Sequence, residues 1–315
     1  MLQHLQLINR AKSLGIKTTD VSDIMQRDTT ILEYNGISEL VMDGVPTSWI
    51  NARSQFYCDN KQLTKIVYEK LNIPYPKSIV FETPDDERLP AFFNDEKLFV
   101  CKPLDATNGV GVVMDIQNME MVRAYFEQFK HLKTLFLLEE QVAGEDLRVH
   151  VIQGKIVAAC IREPAFVTGN GVDSLELLIE KRRAVMKTQN PYNFLEIDDN
   201  TQALLVEQGI KMEDIPAKNQ KVRLKYISNI AQGGVATDIT DEIHPDLQKW
   251  VTDLSSYLNT GYYGLDLITT DHKAEPKIST KVLEINARGD WMHHTFSERR
   301  THDMSGLILE ALFNI

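Results

Sequence analysis

Two runs near the C-terminal end, Gly264-Leu-Asp-Leu-Ile268 and Val282-Leu-Glu-Ile-Asn286, constrain the fold more than any other part of the chain. Each alternates apolar and polar residues at the period of a β-strand, so Asp266, Glu284 and Asn286 sit between apolar neighbours that face a core. A connection folded symmetrically about Glu275 sets Asp266 opposite Glu284, and Asn286 shares the face of Glu284. Three oxygen donors then converge. A hard cation with oxygen ligands, most simply Mg²⁺ with phosphate completing its shell, relieves the repulsion between the two carboxylates. An ordinary hairpin with a solvated polar face is the competing reading.

The 315 residues carry 34 Lys plus Arg against 45 Asp plus Glu, a net charge of −11. That balance argues against nucleic acid or an anionic membrane as the main partner, since both require a basic face. At 43% hydrophobic and 25% charged the chain is an ordinary globular one, long enough for roughly two domains. No stretch reaches the roughly 18 apolar residues of a membrane span, and the start lacks a signal peptide, so the cytoplasm is the expected location. Cys58, Cys101 and Cys160 have no paired spacing, which suits a reducing compartment and no zinc site.

Helical periodicity marks Leu2, Leu5 and Ile8 before Gly15, then Lys61–Leu71, Met119–Phe129, Asn200–Ile210, Asp246–Leu258 and Met304–Leu312. Strands are expected at Thr30–Leu32 and Leu40–Met42 around Asn35-Gly36, and at Phe99–Lys102, Val110–Met114 and Leu135–Leu138. Further strands are expected at Leu147–Gln153 and Ile156–Arg162 about Gly154, and at Tyr263–Thr269 and Thr280–Ile285. Helices alternating with antiparallel hairpins give an α+β or α/β architecture with more than one sheet.

Lys102 stands at a strand end before the loop Pro103-Leu-Asp-Ala-Thr-Asn-Gly-Val-Gly111, which offers a charge and backbone N–H groups to phosphate. Asn108-Gly109 is equally a hairpin turn signal. The run Glu139-Glu-Gln-Val-Ala-Gly-Glu-Asp-Leu-Arg148 reads either as a crossing between lobes that exposes backbone groups to an adenine edge, or as a charged loop. Arg148, Arg162 and Arg288 lie in or beside strands and should each face an anion or water. His293-His294 reads as an exposed pair, because two adjacent residues of one strand cannot face one metal.

Taken in order, these stretches resemble the ATP-grasp carboxylate-amine ligase family, and within it the ATP-grasp parts of cyanophycin synthetase and of the bifunctional glutathione synthetase. The resemblance is carried by Lys61-Gln-Leu-Thr-Lys65 ahead of Ile73-Pro74, by Val100 to Val112, Glu139 to Arg148 and Ile161 to Gly171, and by Ser228 to Gly234, Thr237 to Pro245 and Val282 to Arg288. It implies an ATP-grasp fold of two α+β lobes clasping ATP, over 61–315, with a lid subdomain at about 97–140, a C-terminal core at about 141–315 and a short N-terminal α/β segment at 1–60. It implies that Lys61 and Lys102 contact the ATP phosphates, that Asn108, Gly109 and Gly111 belong to a loop covering them, and that Glu139, Glu140, Gln141 and Val142 hold adenine. Asp146 falls at the ribose position, where the family commonly has a glutamate. Asp266, Glu284 and Asn286 match the ligands of two Mg²⁺ ions, with Mn²⁺ as a substitute. Arg162 and Arg288 match residues that steady the acyl-phosphate and the tetrahedral intermediate.

The implied activity is ATP-dependent amide or peptide bond formation on an amino acid, short peptide or similar small substrate. A ligase acting on a peptide or protein side chain or terminus is the alternative, and a non-catalytic nucleotide-binding module a further one. The chain lacks the flanking regions of cyanophycin synthetase, so a second, polymerising activity is not expected. With only about sixty residues ahead of Lys61, part of the acceptor site is expected from a second subunit, as in a homodimer, or from the stretch Thr188 to Gln220.

Overall fold

The computed structural model describes residues 2–93, 97–104, 111–132, 134–189, 191 and 193–315. The chain opens with the helix Leu2–Ser13 and an antiparallel meander of β1 (Lys17–Asp20), β2 (Thr29–Tyr34), β3 (Ile37–Met42) and β4 (Val45–Pro46). β2 turns into β3 through Asn35 and Gly36, both at positive φ (49° and 79°), as a two-residue hairpin turn requires.

Asn60 caps the helix Lys61–Lys70 by accepting from the backbone N–H groups of Gln62 and Leu63. A second sheet follows, with β5 (Ser78–Phe81), β6 (Phe99–Pro103), β7 (Val113–Ile116) and β8 (Phe136–Glu140) in the order β5-β8-β6-β7. The helix Met119–Phe129 packs Val122 and Tyr125 into its apolar face beside Phe81, Phe99, Cys101, Ile116, Phe136 and Leu138. The strand expected at Val110–Met114 lies instead at Val113–Ile116, where Val113 pairs with Cys101 and Ile116 with Phe99. The sheet of this lobe takes in Ser78–Phe81, ahead of residue 97.

The main sheet is built from β9 (Glu145–Ile152), β10 (Lys155–Glu163), β13 (Val235–Asp238), β14 (Tyr262–Thr269) and β15 (Thr280–Asn286), in the order β13-β10-β9-β14-β15. Between β10 and β13 the chain leaves the sheet to form the ribbon β11 (Phe166–Thr168) and β12 (Lys221–Arg223). The helices Leu175–Gln189 and Asp199–Glu207 cover this ribbon around a core of Val167, Leu178, Ile179, Leu205 and Val222.

The period of two divides the main sheet into unlike faces. Leu147, Val149, Val151, Ala159, Ile161, Leu265 and Leu267 pack against Trp250, Val251, Leu254 and Leu258 of the helix Leu247–Leu258, and against Val67 and Tyr68. On the other face, Ile152, Ala158 and Tyr262 pack under the N-terminal helix and the last helix, Met304–Phe313, through Leu7, Met304, Ile308 and Leu309. The N-terminal residues therefore share a core with the C-terminal ones. That packing covers one end of the face, and the polar ends of β9, β14 and β15 line the remainder.

Candidate active site

Register alone assembles the site. Asp266 on β14 stands opposite Glu284 on β15 and opposite Arg148 on β9, Arg162 on β10 stands opposite Asp146, and Asn286 stands opposite Gly264. Residues two apart on a strand share a face, so these side chains all project to one side of the main sheet. Asp266 and Glu284 face each other as the symmetric hairpin required. The ladder slips immediately afterwards, pairing Leu267 with Val282.

Asp266 is buried among cations and donors. Arg148 Nη1 donates to both of its carboxylate oxygens at 2.8 Å, Arg162 Nη2 donates to Oδ1 at 2.7 Å, and Asn286 Nδ2 donates to Oδ2 at 2.6 Å. Burial opposes the Asp266 charge, but Arg148 and Arg162 outweigh it and hold the carboxyl below its usual range. Arg162 also reaches Asp146 Oδ1 at 2.7 Å. Burial would lower the Arg162 pKa, yet Asp266 and Asp146 hold it above its ordinary value. Burial raises Asp146, against the pull of Arg162. Glu163, next to Arg162, points away and pairs with Lys221.

Arg148 fits because two glycines leave room for it. A Cβ on Gly264 would lie 2.2 Å from Arg148 Nη2, and one on Gly289 would lie 2.3 Å from the same atom. Sequence reasoning placed Arg148 near an anion without assigning it to the site. The signal was its register against Asp266, readable once β9 and β14 are set side by side.

Glu284 is only partly covered, and Lys61 Nζ lies 3.7 Å from its Oε2 and 3.4 Å from Leu104 O at the end of β6, so Lys61 joins the two lobes. Lys102 Nζ sits 2.5 Å from Glu139 Oε1, and Lys65 Nζ is 2.5 Å from Oε2 of the same carboxylate. Burial would raise the Glu139 pKa, but Lys102 and Lys65 hold it below the ordinary value. Lys65 was not expected here. It lies one helical turn after Lys61 with its side chain 3% exposed, a buried lysine that must have a partner.

Glu140 pairs with Lys97, its N–H donates to Lys77 O, and the N–H of Gln141 donates to Leu98 O. The Gln141 side chain donates to Asp115 Oδ1 at 2.8 Å, and Val142 is half-buried beyond it. The Gly111 carbonyl accepts from the Tyr125 hydroxyl at 2.9 Å. Asn108 and Gly109 lie outside the described residues. Arg288 follows β15 directly, is half-buried, and makes no ion pair among the described residues.

The histidines depart from the sequence expectation. His293 and His294 are buried, at 5% and 0% exposure, and lie in the 3₁₀ turn Met292–Thr295 instead of an exposed strand. In such a turn neighbouring side chains are about 120° apart, so the opposite-face rule of a strand does not apply.

Two lobes, one a four-stranded sheet ending in a Lys–Glu–Lys cluster and the other a larger sheet ending in a carboxylate pair, define an ATP-grasp fold. No family model matches the chain. It is similar to the cyanophycin synthetase of Trichormus variabilis, at 29% identity over 262 residues, covering 81% of this chain and 29% of that protein. It is similar to the glutathione biosynthesis bifunctional protein GshAB of Mannheimia succiniciproducens, at 28% identity over 317 residues, covering 96% of this chain and 41% of that protein. Among solved structures it superposes on a bifunctional glutathione synthetase from Pasteurella multocida with a TM-score of 0.74 and 26% identity, over 99% of this chain and 44% of that one. The chain thus spans less than half the length of these relatives. Among the described residues no helix is long and apolar enough to cross a membrane.

Proposed function

We propose that the chain is an ATP-dependent carboxylate-amine ligase. A substrate carboxylate oxygen attacks the γ-phosphorus of ATP, ADP leaves, and the resulting acyl-phosphate is attacked by an amine that displaces phosphate to form an amide. The observation that carries this reading is the pairing of Asp266 with Glu284 on adjacent strands, with Asn286 in contact with both carboxylates.

The donor set suits Mg²⁺, because all three side chains carry oxygen donors and Asn286 Nδ2 touches Asp266 Oδ2 and Glu284 Oε1, which holds the two carboxylates together. Bound there, Mg²⁺ would neutralise phosphate charge during transfer. Arg148, Arg162 and the Asn286 amide all donate to Asp266 and balance its charge.

Lys61 and Lys102 supply fixed positive charge for phosphate oxygens, and each is already held by a carboxylate, Glu284 and Glu139. The N–H groups of Glu140 and Gln141 are committed to Lys77 and Leu98, so adenine recognition runs through Val142 and the carbonyls of this hinge, with Asp146 on the ribose side. Asn108, Gly109 and Gly111 belong to the segment that would exclude water from an acyl-phosphate. Arg162, which bridges Asp146 and Asp266, would steady the charge of the transferred phosphoryl and the tetrahedral intermediate, and Arg288 would serve the same centre. An amino acid or short peptide is the proposed substrate class.

Phosphate release from ATP, measured against a panel of amino acids and dipeptides with mass spectrometry of the product, tests the reading. A product whose mass is that of two panel members less one water supports it. AMP and pyrophosphate in place of ADP and phosphate would overturn it.

A further inference from the structure

His150, His293 and His294 meet beside the carboxylate row. His150 lies two residues beyond Arg148 on β9, opposite Gly264, on the face that carries Asp266. It is fully buried, as is His294, and its ring centroid lies 5.6 Å from that of His293 and 4.8 Å from that of His294. The rings of His293 and His294 are 4.4 Å apart, and one nitrogen from each of the three residues lies within 4.8 Å of the other two.

The hydrogen bonds leave two buried ring nitrogens of this cluster without a partner. His150 Nε2 lies 3.4 Å from the Gly289 carbonyl, which can only accept, so Nε2 carries the proton and Nδ1 the lone pair. His294 Nε2, 2.8 Å from that Nδ1, must then donate, which leaves a lone pair on His294 Nδ1. That atom and His293 Nε2 are buried without a hydrogen-bond partner. Burial, the largest influence on each, keeps all three imidazoles in the neutral, ligating form at neutral pH.

We propose that His150, His293 and His294 form a site for one divalent transition-metal ion of the zinc class, separate from the Asp266–Glu284–Asn286 row. Zinc–imidazole bonds of about 2.0–2.1 Å in a tetrahedron put ligand nitrogens about 3.4 Å apart, so binding draws the nitrogens inside their 4.8 Å span and replaces the His294–His150 hydrogen bond with a bond to the ion. The ligand set selects against Mg²⁺, which takes oxygen donors, and favours metals with partly covalent bonds to imidazole. The nearby Arg148 guanidinium repels any dication here, so an ion must be held by its bonds to the imidazoles. The contact from His150 to Gly289 O is the kind of outer hydrogen bond that orients a metal-bound imidazole, and Tyr262 fixes the same carbonyl at 2.7 Å. An ion here would tie the turn Met292–Thr295, which follows Asn286 and Arg288, to β9.

The test uses the full chain, stripped with a chelator, saturated with Mg²⁺ and titrated with Co²⁺ as a spectroscopic substitute for Zn²⁺. One equivalent of Co²⁺ should give the visible absorption of a tetrahedral nitrogen-ligated ion. At about 100 times its dissociation constant it should raise Tm by about 4 °C. H293A and H150N should each lose the absorption while keeping the native far-ultraviolet circular dichroism, and E284Q should keep it. Should H150N fail to fold, H293A alone decides, since the His293 side chain makes no hydrogen bond through Nε2. Absent absorption in folded wild type, absorption that survives H293A, or absorption lost in E284Q would each overturn the site. The readout does not depend on turnover, so failure of the ligase reading and failure of this site are distinguishable.

Discussion

Asp266 and Glu284 stand directly opposite each other on β14 and β15, and the ladder slips by one residue immediately beyond them, so that Leu267 pairs with Val282. A bulge at this point increases local twist and re-aims side chains, as bulges beside active sites commonly do. Asp266 is held by two arginines, whereas Glu284 is 36% exposed and, among the described residues, has the 3.7 Å contact with Lys61 as its ion pair. The two carboxylates therefore differ in what their removal does.

For Glu284→Gln we expect phosphate release to fall at least about 100-fold, because a charge that would hold Mg²⁺ against the phosphates is lost at constant volume. Its exposure makes the ion pair worth at most about 1 kcal/mol. Tm should shift by no more than about 2 °C. Steady-state kinetics beside a thermal melt check both halves.

Arg162→Met should lower the ligation rate by about 100-fold or more while ATP binding persists. It should also cost about 2–4 kcal/mol of stability, because the buried Asp266 and the half-buried Asp146 each lose a partner. An arginine that served only the reaction would leave the melting temperature unchanged on substitution. The shared ion pairs with Asp146 and Asp266 are the reason to expect otherwise. Melts with and without Mg²⁺, and equilibrium binding of a non-hydrolysable ATP analogue, separate the two effects.

Much of this site was legible in the sequence because strands report their faces. The alternation around Asp266 and Glu284, and a connection of the right length, set the pairing before any coordinates. Hairpin turns at Asn35-Gly36 and at Gly154 were equally plain, since Asn and Gly accept the positive φ that such turns need. Contacts between elements far apart in sequence were not. Lys65 meets Glu139 across 74 residues, and no local pattern announces that. The helix Leu175–Gln189 was missed because Arg182 and Arg183 interrupt its apolar positions. The histidines were misread because a 3₁₀ turn following a strand was taken as more strand.

Glu139 provides a pH-dependent prediction. Its folded pKa is held below the model-peptide value of about 4.3 by Lys102 and Lys65, so its contribution to stability is fully present above that value. That contribution is lost as the pH falls through the folded pKa. Glu139→Gln should therefore destabilise by about 3 kcal/mol at pH 7, where Lys65 is left buried and unpaired. The difference from wild type should shrink below pH 4. Urea unfolding of both proteins from pH 7 to pH 3 measures this.

Gly264→Ala should be costly despite its small size. The added methyl would meet the Arg148 guanidinium at 2.2 Å, in a cradle also bounded by Gly289. Arg148 must then leave Asp266, and a loss of about 2–4 kcal/mol is expected from a buried charge pair broken in this way. A Gly264→Ala protein with wild-type stability would show that Arg148 has another berth of equal energy.

The fate of one carboxylate oxygen tests the ligase reading most directly. With a substrate pair identified by phosphate release, the carboxylate is labelled with ¹⁸O and the liberated phosphate is weighed by mass spectrometry. Transfer through an acyl-phosphate leaves one substrate oxygen on phosphorus when the amine displaces it, so each phosphate released with an amide should carry one ¹⁸O. Phosphate without label, formed at the same rate as the amide, would contradict the acyl-phosphate and with it the role given to Asp266, Glu284 and Arg162.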